Sequence, residues 1–324
     1  MATLAEPTRT GSSGSGAGAS RFAWALLLCA FGAACGRGED VDVGAHEALV
    51  LTGDDDEAID IVYTAEDERI FEERMSWAAE QRLDTLPIGS VIARLGETFV
   101  GTTYTPGTLE LDGPERLVVN LRELDCVTFV ESVLAMARLI ERDGGDFDDF
   151  TEELRRIRYR DGELAGYPSR LHYFSEWLRD NERKRIVREV TPELGGVVDD
   201  EPIDFMSSHR ELYPKLAGDS SYRAILAQEQ ALSAVPRYYI PETQIATVAD
   251  RIRDGDVIAA TATTRGLDIA HTGFALWRGG RLHLMHAPLV GSSVEISEQP
   301  LAERILEIEG QDGIMVARPL SPTD

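Results

Sequence analysis

The sequence predicts an α+β protein, with helices in the earlier part of its folded region and strands at its end. Two observations predict it. Apolar residues Val127, Val130, Val133, Leu134, Ala137 and Ile140 recur at helical spacing behind Asp125-Cys126, and Gly144-Gly145 close that segment. Far downstream, residues 269–277 alternate like a strand, Arg278-Gly279-Gly280 forms a hairpin turn signal, and residues 281–287 read as the returning strand. The chain has 324 residues, 43% of them hydrophobic, enough for one large core or two small ones. A formal net charge of −25 argues against nucleic-acid binding as the main activity and against electrostatic docking on anionic lipid. The sequence holds neither an internal repeat nor a zinc-ligand pattern.

Residues 1–34 read as an export signal. A polar Gly/Ser-rich leader precedes Arg21, and residues 22–31 are apolar. That run is too short to span a bilayer, which takes about 20 apolar residues. A basic residue, an apolar run and small residues before a cleavage site make a secretory signal. The small residues are Gly32-Ala33-Ala34, followed by Cys35. This resembles a bacterial lipobox, with Gly32 where leucine is usual. The expectation is a lipoprotein-type signal, with Cys35 acylated and holding the protein on a membrane. Gly36 stands where an aspartate would mark inner-membrane retention, which favours an outer-membrane location. Processing at Cys35 discards Cys29 and leaves Cys126 without a disulfide partner in the chain. Residues 35–63 are acidic and aperiodic, and are expected to be a disordered tether. The folded domain is expected to cover residues 64–324.

Thr64-Ala-Glu-Asp-Glu is a capped, acidic helix start, and that helix is expected to run to about Leu83. Pro87 opens a second helix carrying Ile88, Val91, Ile92 and Leu95. Residues 102–110 form a turn-rich loop that holds Tyr104, and residues 117–119 are a short extended entry to the cysteine helix. Another helix is expected over residues 147–157. Residues 158–162 and 167–177 are aromatic and basic, unusual in so acidic a chain. Strands are expected within residues 184–197 and a helix within 213–233. Asp254-Gly255-Asp256 makes a turn before the strand that starts at Val257.

A cysteine at a helix start lies at the positive end of the helix dipole, which lowers a thiol pKa and favours the nucleophilic thiolate. The competing reading is a buried structural cysteine. His271 and His286 fall on the two strands of the hairpin, where paired side chains come about 5 Å apart. The register that decides this depends on the turn. Imidazole can take a thiol proton and return it to a leaving amine, and a third polar group can hold its tautomer. Both histidines also read as ordinary strand residues. His283 is a poorer match than His286, and no third ligand stands at metal-site spacing.

These residues resemble a family. LDCVTFVES is similar to the nucleophile motif of the NlpC-type cell-wall cysteine peptidases, IRDGDVIAA to their Gly-Asp strand entry, IAHTGFALW to their His-Val-Gly strand and LMHAP to their closing strand. GTTYTPGTLE, LVVNLRELDCVTFVESVLA, IRYRDGELAGYPSRLHYFSEW, RYYIPE and GLDIAHTGFALW resemble the N-acetylmuramoyl-L-alanine amidase-like branch, over roughly residues 87–318. Val127 and Thr272 depart from the usual motif residues. The resemblance implies a papain-like α+β fold of the NlpC type, with the nucleophile on a helix N-terminus packed against an antiparallel sheet carrying the histidines. It implies Cys126 as nucleophile, His271 as base, His286 as the orienting third residue and Tyr104 lying against the nucleophile.

The implied reaction is hydrolysis of a peptidoglycan amide through a thioester, with no metal and no organic cofactor. The implied partners are peptidoglycan or muropeptide fragments, with no nucleic acid, in the bacterial cell envelope. Arg122, Arg158, Arg160, Arg170 and Tyr173 are candidate contacts for stem-peptide carboxylates, because arginine pairs with carboxylates bidentately. Each reads equally well as a structural residue. Two other functions fit the same residues: an endopeptidase cutting between D-Glu and the diamino acid, and an inactive peptidoglycan-binding lipoprotein.

Overall fold

The computed structural model describes residues 49–51, 61–142 and 144–322. The expected export signal, Cys35 and most of the expected tether lie outside them. Two short antiparallel strands come first, β1 (Leu49–Leu51) and β2 (Ile61–Tyr63). The tether expected over residues 35–63 therefore differs at its end. The extended run Ile61-Val62-Tyr63 pairs in parallel with β4 (Leu117–Val118) and buries Tyr63.

Helix α1 (Ala65–Glu80) starts at a reciprocal cap: Asp67 accepts from the Thr64 backbone at 2.9 Å, and Thr64 Oγ1 accepts from Asp67 N–H. It ends before Leu83, which begins a short 3-10 turn. Helix α2 (Ile88–Glu97) follows Pro87 and buries Val91, Ile92 and Leu95. Strand β3 (Thr103–Tyr104) pairs in parallel with β5 (Glu123–Leu124), so Tyr104 lies beside Leu124, two residues ahead of Cys126.

Helix α3 (Cys126–Ile140) is the centre of the molecule. Every residue in it except Val127 is buried. It packs on α2, on α4 (Phe147–Arg158) and on the main sheet. Helix α5 (Phe174–Arg183), in a segment where the sequence predicts no helix, buries Phe174, Trp177, Leu178 and Asn181 along one face. Its first turn is capped from afar, because Ser175 N–H donates to Asp268 at 2.7 Å. A cap drawn from a distant residue leaves no local start signal.

Strands β6 (Val187–Glu189) and β7 (Val197–Asp199) follow, then α6 (Phe205–Ser208), α7 (Asp219–Ser233), β8 (Arg237–Pro241) and α8 (Ile245–Val248). The helix expected within 213–233 thus begins at Asp219. The last part supplies β9 (Val257–Ala262), β10 (Ile269–Arg278), β11 (Arg281–His286), β12 (Glu295–Ile296), α9 (Leu301–Glu307) and β13 (Gln311–Pro319). The main sheet has the antiparallel order β12-β11-β10-β9-β13-β8-β7, with β6 also pairing with β13. Gly279 and Gly280 both take positive φ, at 58° and 77°, the requirement of a tight hairpin turn. The Gly255-Asp256 motif is structural: Asp256 is buried and accepts from Arg318 at 2.8 and 2.9 Å, tying the start of β9 to β13. The observed class is α+β, with a buried cysteine at the head of a helix and sheets that mix parallel and antiparallel pairs.

Candidate active site

Asp125 fixes the position of Cys126. Its carboxylate accepts from Thr128 N–H at 2.8 Å, and Thr128 Oγ1 accepts from Asp125 N–H at 2.9 Å. This box starts the helix at Cys126, which is 1% exposed. The approach to it is held as well. Asn120 Oδ1 accepts from the N–H groups of Arg122 and Glu123, and buried Asp67 accepts from Leu121 N–H at 2.8 Å.

The histidines come together across the hairpin. Phe274 pairs with Met285, and continuing that register places His286 opposite Gly273, diagonal to His271 on the same face. A Cβ at Gly273 would stand 2.5 Å from Met285 O and 2.9 Å from His286 Cβ, so a glycine is needed for the imidazole to fit. On the other side of β10 the register against β9 shifts by one residue at Ala270. Such a bulge re-aims the side chains that flank it. The outcome is a bond of 2.7 Å between His271 Nε2 and His286 Nδ1, with the rings nearly perpendicular. Both residues are buried. Burial pushes His271 down to about 3 and holds His286 well below its ordinary value, and the positive charge of Arg304 adds to both shifts. Both imidazoles are therefore neutral at neutral pH. His286 Nε2 is buried, has no hydrogen-bond partner among the described residues, and lies 3.7 Å from Glu295 Oε1.

Cys126, Val127, His271 and Thr272 line one cleft, with Leu109, Glu110, Glu131, Tyr167, His172, Tyr213 and Asp268 among its other walls. Arg158 and Arg170 also line it, but their guanidinium groups are already engaged. Arg158 donates to Glu131 at 2.7 Å and to Val118 O at 2.6 Å. Arg170 pairs with Glu110, lies 3.5 Å from Glu115 and donates to Leu109 O. Arg122, Arg160 and Tyr173 do not line this cleft. Arg122 donates to Asp67 at 3.0 Å, Arg160 pairs with Glu176, and the Tyr173 hydroxyl donates to Glu229 at 2.6 Å. The basic and aromatic segment thus acts largely as internal bonding for α4 and α5. The cleft also contains residues that the sequence reading passed over. Glu131 lies just over one turn beyond Cys126, its carboxyl raised by burial and bonded to Arg158 and Trp177. Asp268 precedes the His271 strand and accepts from Ser175 and Ile269 N–H. Each carried a visible signal, as an acidic residue next to a motif.

A buried thiol at a helix head, in a cleft also lined by His271 with His286 bonded behind it, is the arrangement of a cysteine-dependent hydrolase. The chain matches the AmiA-like, N-acetylmuramoyl-L-alanine amidase-like family over residues 94–313, and it belongs to that family. It is similar to the solved structure of an N-acetylmuramoyl-L-alanine amidase from Bacteroides uniformis ATCC 8492, at 36% identity and a TM-score of 0.69 over 72% of this chain and 99% of that one. A Bacteroides fragilis protein provisionally named a xylanase is 38% identical, with a TM-score of 0.66 over 69% of this chain and 98% of that one. A Legionella pneumophila protein shares the fold at 19% identity and a TM-score of 0.57, over 79% of this chain and 97% of that one. No curated protein matches the chain.

Proposed function

We propose that this protein hydrolyses the amide between the lactyl group of N-acetylmuramic acid and L-alanine in peptidoglycan, with Cys126 as nucleophile and His271 as base. The observation that carries the reading is the His271–His286 bond in the wall of the cleft that holds Cys126. Tautomers follow from it. For His271 to take the thiol proton on Nδ1, its Nε2 must carry the hydrogen and donate to His286 Nδ1. His286 then carries its hydrogen on Nε2, on the side of Glu295. Sulfur attacks the lactyl carbonyl carbon, and the oxygen that becomes negative develops at the positive end of α3. His271 delivers its proton to the departing alanine nitrogen, leaving a thioester on Cys126 and a free stem peptide. Water, deprotonated by His271, then releases the sugar acid and restores the thiol. Tyr104, beside Leu124 in the parallel pair, borders the nucleophile in this scheme.

The order of helix head and antiparallel hairpin supports a papain-like architecture of the NlpC type. The xylanase name of one relative does not carry over. Glycoside hydrolysis generally uses two carboxyl groups flanking the bond, whereas the carboxylates near Cys126 cap helices or bind arginine. Residues 1–34 as an export signal, acylation of Cys35 and a place in the cell envelope belong to the same proposal, resting on the sequence pattern. Mass spectrometry of the mature N-terminus tests them, and an unmodified Cys35 removes the anchor. The activity is tested by digesting purified muropeptides and weighing the products. Intact sugar acid plus intact stem peptide supports the amidase; a cut after D-Glu replaces it with the endopeptidase; no cut at all leaves a binding protein.

A further inference from the structure

His271 and Ala270 stand between two clefts. One holds Cys126; the other, about 710 Å³, opens between the 288–292 loop and α9, within the roughly 300–1,000 Å³ range of ligand clefts. The second cleft has two features of a peptide-binding surface. Leu289 and Val290 on its wall are 45% and 63% exposed. On the same cleft, Arg304 Nε and Gln311 Oε1 are buried atoms with no hydrogen-bond partner among the described residues. A buried donor left unpaired costs about 1–3 kcal/mol, more when charged, so the unpaired Nε of half-buried Arg304, beside a reactive histidine, points to a ligand. We propose that this cleft receives the peptide half of the substrate, with Arg304 donating to a stem-peptide carboxylate; the assignment rests on the amidase reading above.

The distribution of charge supports this division. The arginines of the Cys126 cleft are spent on Glu131, Glu110 and Glu115, which leaves that side to the uncharged sugar and lactyl group. Glu295 and Glu298 border the second cleft too; both stand on its exposed rim, and Glu295 offsets part of the Arg304 charge without bonding its Nε. The leaving amine belongs to the peptide, so the peptide half lies on the side of the histidine that protonates it. Binding and chemistry are then coupled. The charge of Arg304 disfavours protonated His271 and His286, and a carboxylate paired with Arg304 offsets that charge just as His271 must accept a proton.

The test compares N-acetylmuramoyl-L-alanyl-D-glutamate with its diamide, which has no carboxylate. The wild-type enzyme should prefer the acid by about ten- to hundredfold in kcat/KM, the worth of a charge-assisted hydrogen bond. Arg304→Gln should bring that ratio to about one, and Arg304→Lys should keep part of it. Because the readout is a ratio, a general loss of folding does not imitate it. A wild type with no preference, or a preference that survives in Arg304→Gln, overturns the subsite and leaves the amidase standing. Failure of the wild type to cleave either compound overturns the amidase reading, and the subsite with it.

Discussion

Phe129 and Phe274 meet edge to face, with ring centroids 5.7 Å apart. Phe129 lies three residues after Cys126, and Phe274 three residues after His271. Both are fully buried. One aromatic contact therefore ties the helix that carries Cys126 to the strand that carries His271. Phe129→Leu should fold, yet lower kcat by about tenfold with little change in KM, since a small shift of reacting groups is costly. Phe274→Ala should destabilise by about 3–5 kcal/mol through the cavity it leaves. Kinetics and thermal melting check both; a Leu variant with normal kcat would show that the contact serves stability alone.

Gly273→Ala is expected to be more damaging than its size implies. The new methyl collides with the backbone of Met285, which cannot move without opening the hairpin. Overpacking of this kind costs about 1–3 kcal/mol. Activity should fall much further, by about a hundredfold, because the same collision displaces His286. A melting curve and a kcat measurement on one preparation separate the two effects.

The imidazole pair should respond unequally to substitution. His271→Ala removes the proposed base and should abolish turnover, as should Cys126→Ala. His286→Asn keeps an acceptor for His271 Nε2–H and should retain a measurable fraction of kcat. Glu295→Gln, 3.7 Å beyond His286, should have a smaller effect, about twofold to tenfold, as expected for a partly exposed carboxylate. Equal and negligible losses across the three histidine and glutamate variants would place the chemistry elsewhere.

Acid should destabilise the fold through its histidines. His172, His271 and His286 are all held below the ordinary value of 6.5 by burial. The unfolded chain therefore binds more protons than the folded one once the pH drops below about 6.5, and stability is lost as the pH falls from there toward the folded values. Each such histidine contributes up to about 1.4 kcal/mol per pH unit. His172 donates to Tyr167 O at 2.8 Å and takes no part in the His271–His286 bond, so His172→Asn should shed its share of the slope. Melting temperatures between about pH 7 and pH 5 measure this; parallel curves for variant and wild type would contradict it.

What could be read from the sequence was what local signals encode. The cap at Asp125, the period of α3 and the turn at Gly279-Gly280 each act within a few residues, and the structure has them where expected. The hairpin made the closeness of His271 and His286 legible as a possibility, but not the register that brings them together, which the bulge at Ala270 and the gap at Gly273 set. Helix α5 escaped notice because its cap, Asp268, belongs to a distant strand. The partners of the arginines were hidden for the same reason. Arg158, Arg160 and Arg170 look like ligands for anions until their carboxylate partners, scattered from Glu110 to Glu176, fold onto them. Arg304 shows the reverse case, an unremarkable residue in a short helix that only the fold brings to the second cleft.

The burial of α3 along nearly its whole length also governs how the enzyme wears out. A cysteine 1% exposed at the head of such a helix cannot be uncovered by fraying, because its helix is the core. Oxidants and alkylating agents must enter by the substrate's own door. Inactivation should then slow when the cleft is occupied and should discriminate reagents by bulk, so that the catalyst's service life is set by traffic through one opening.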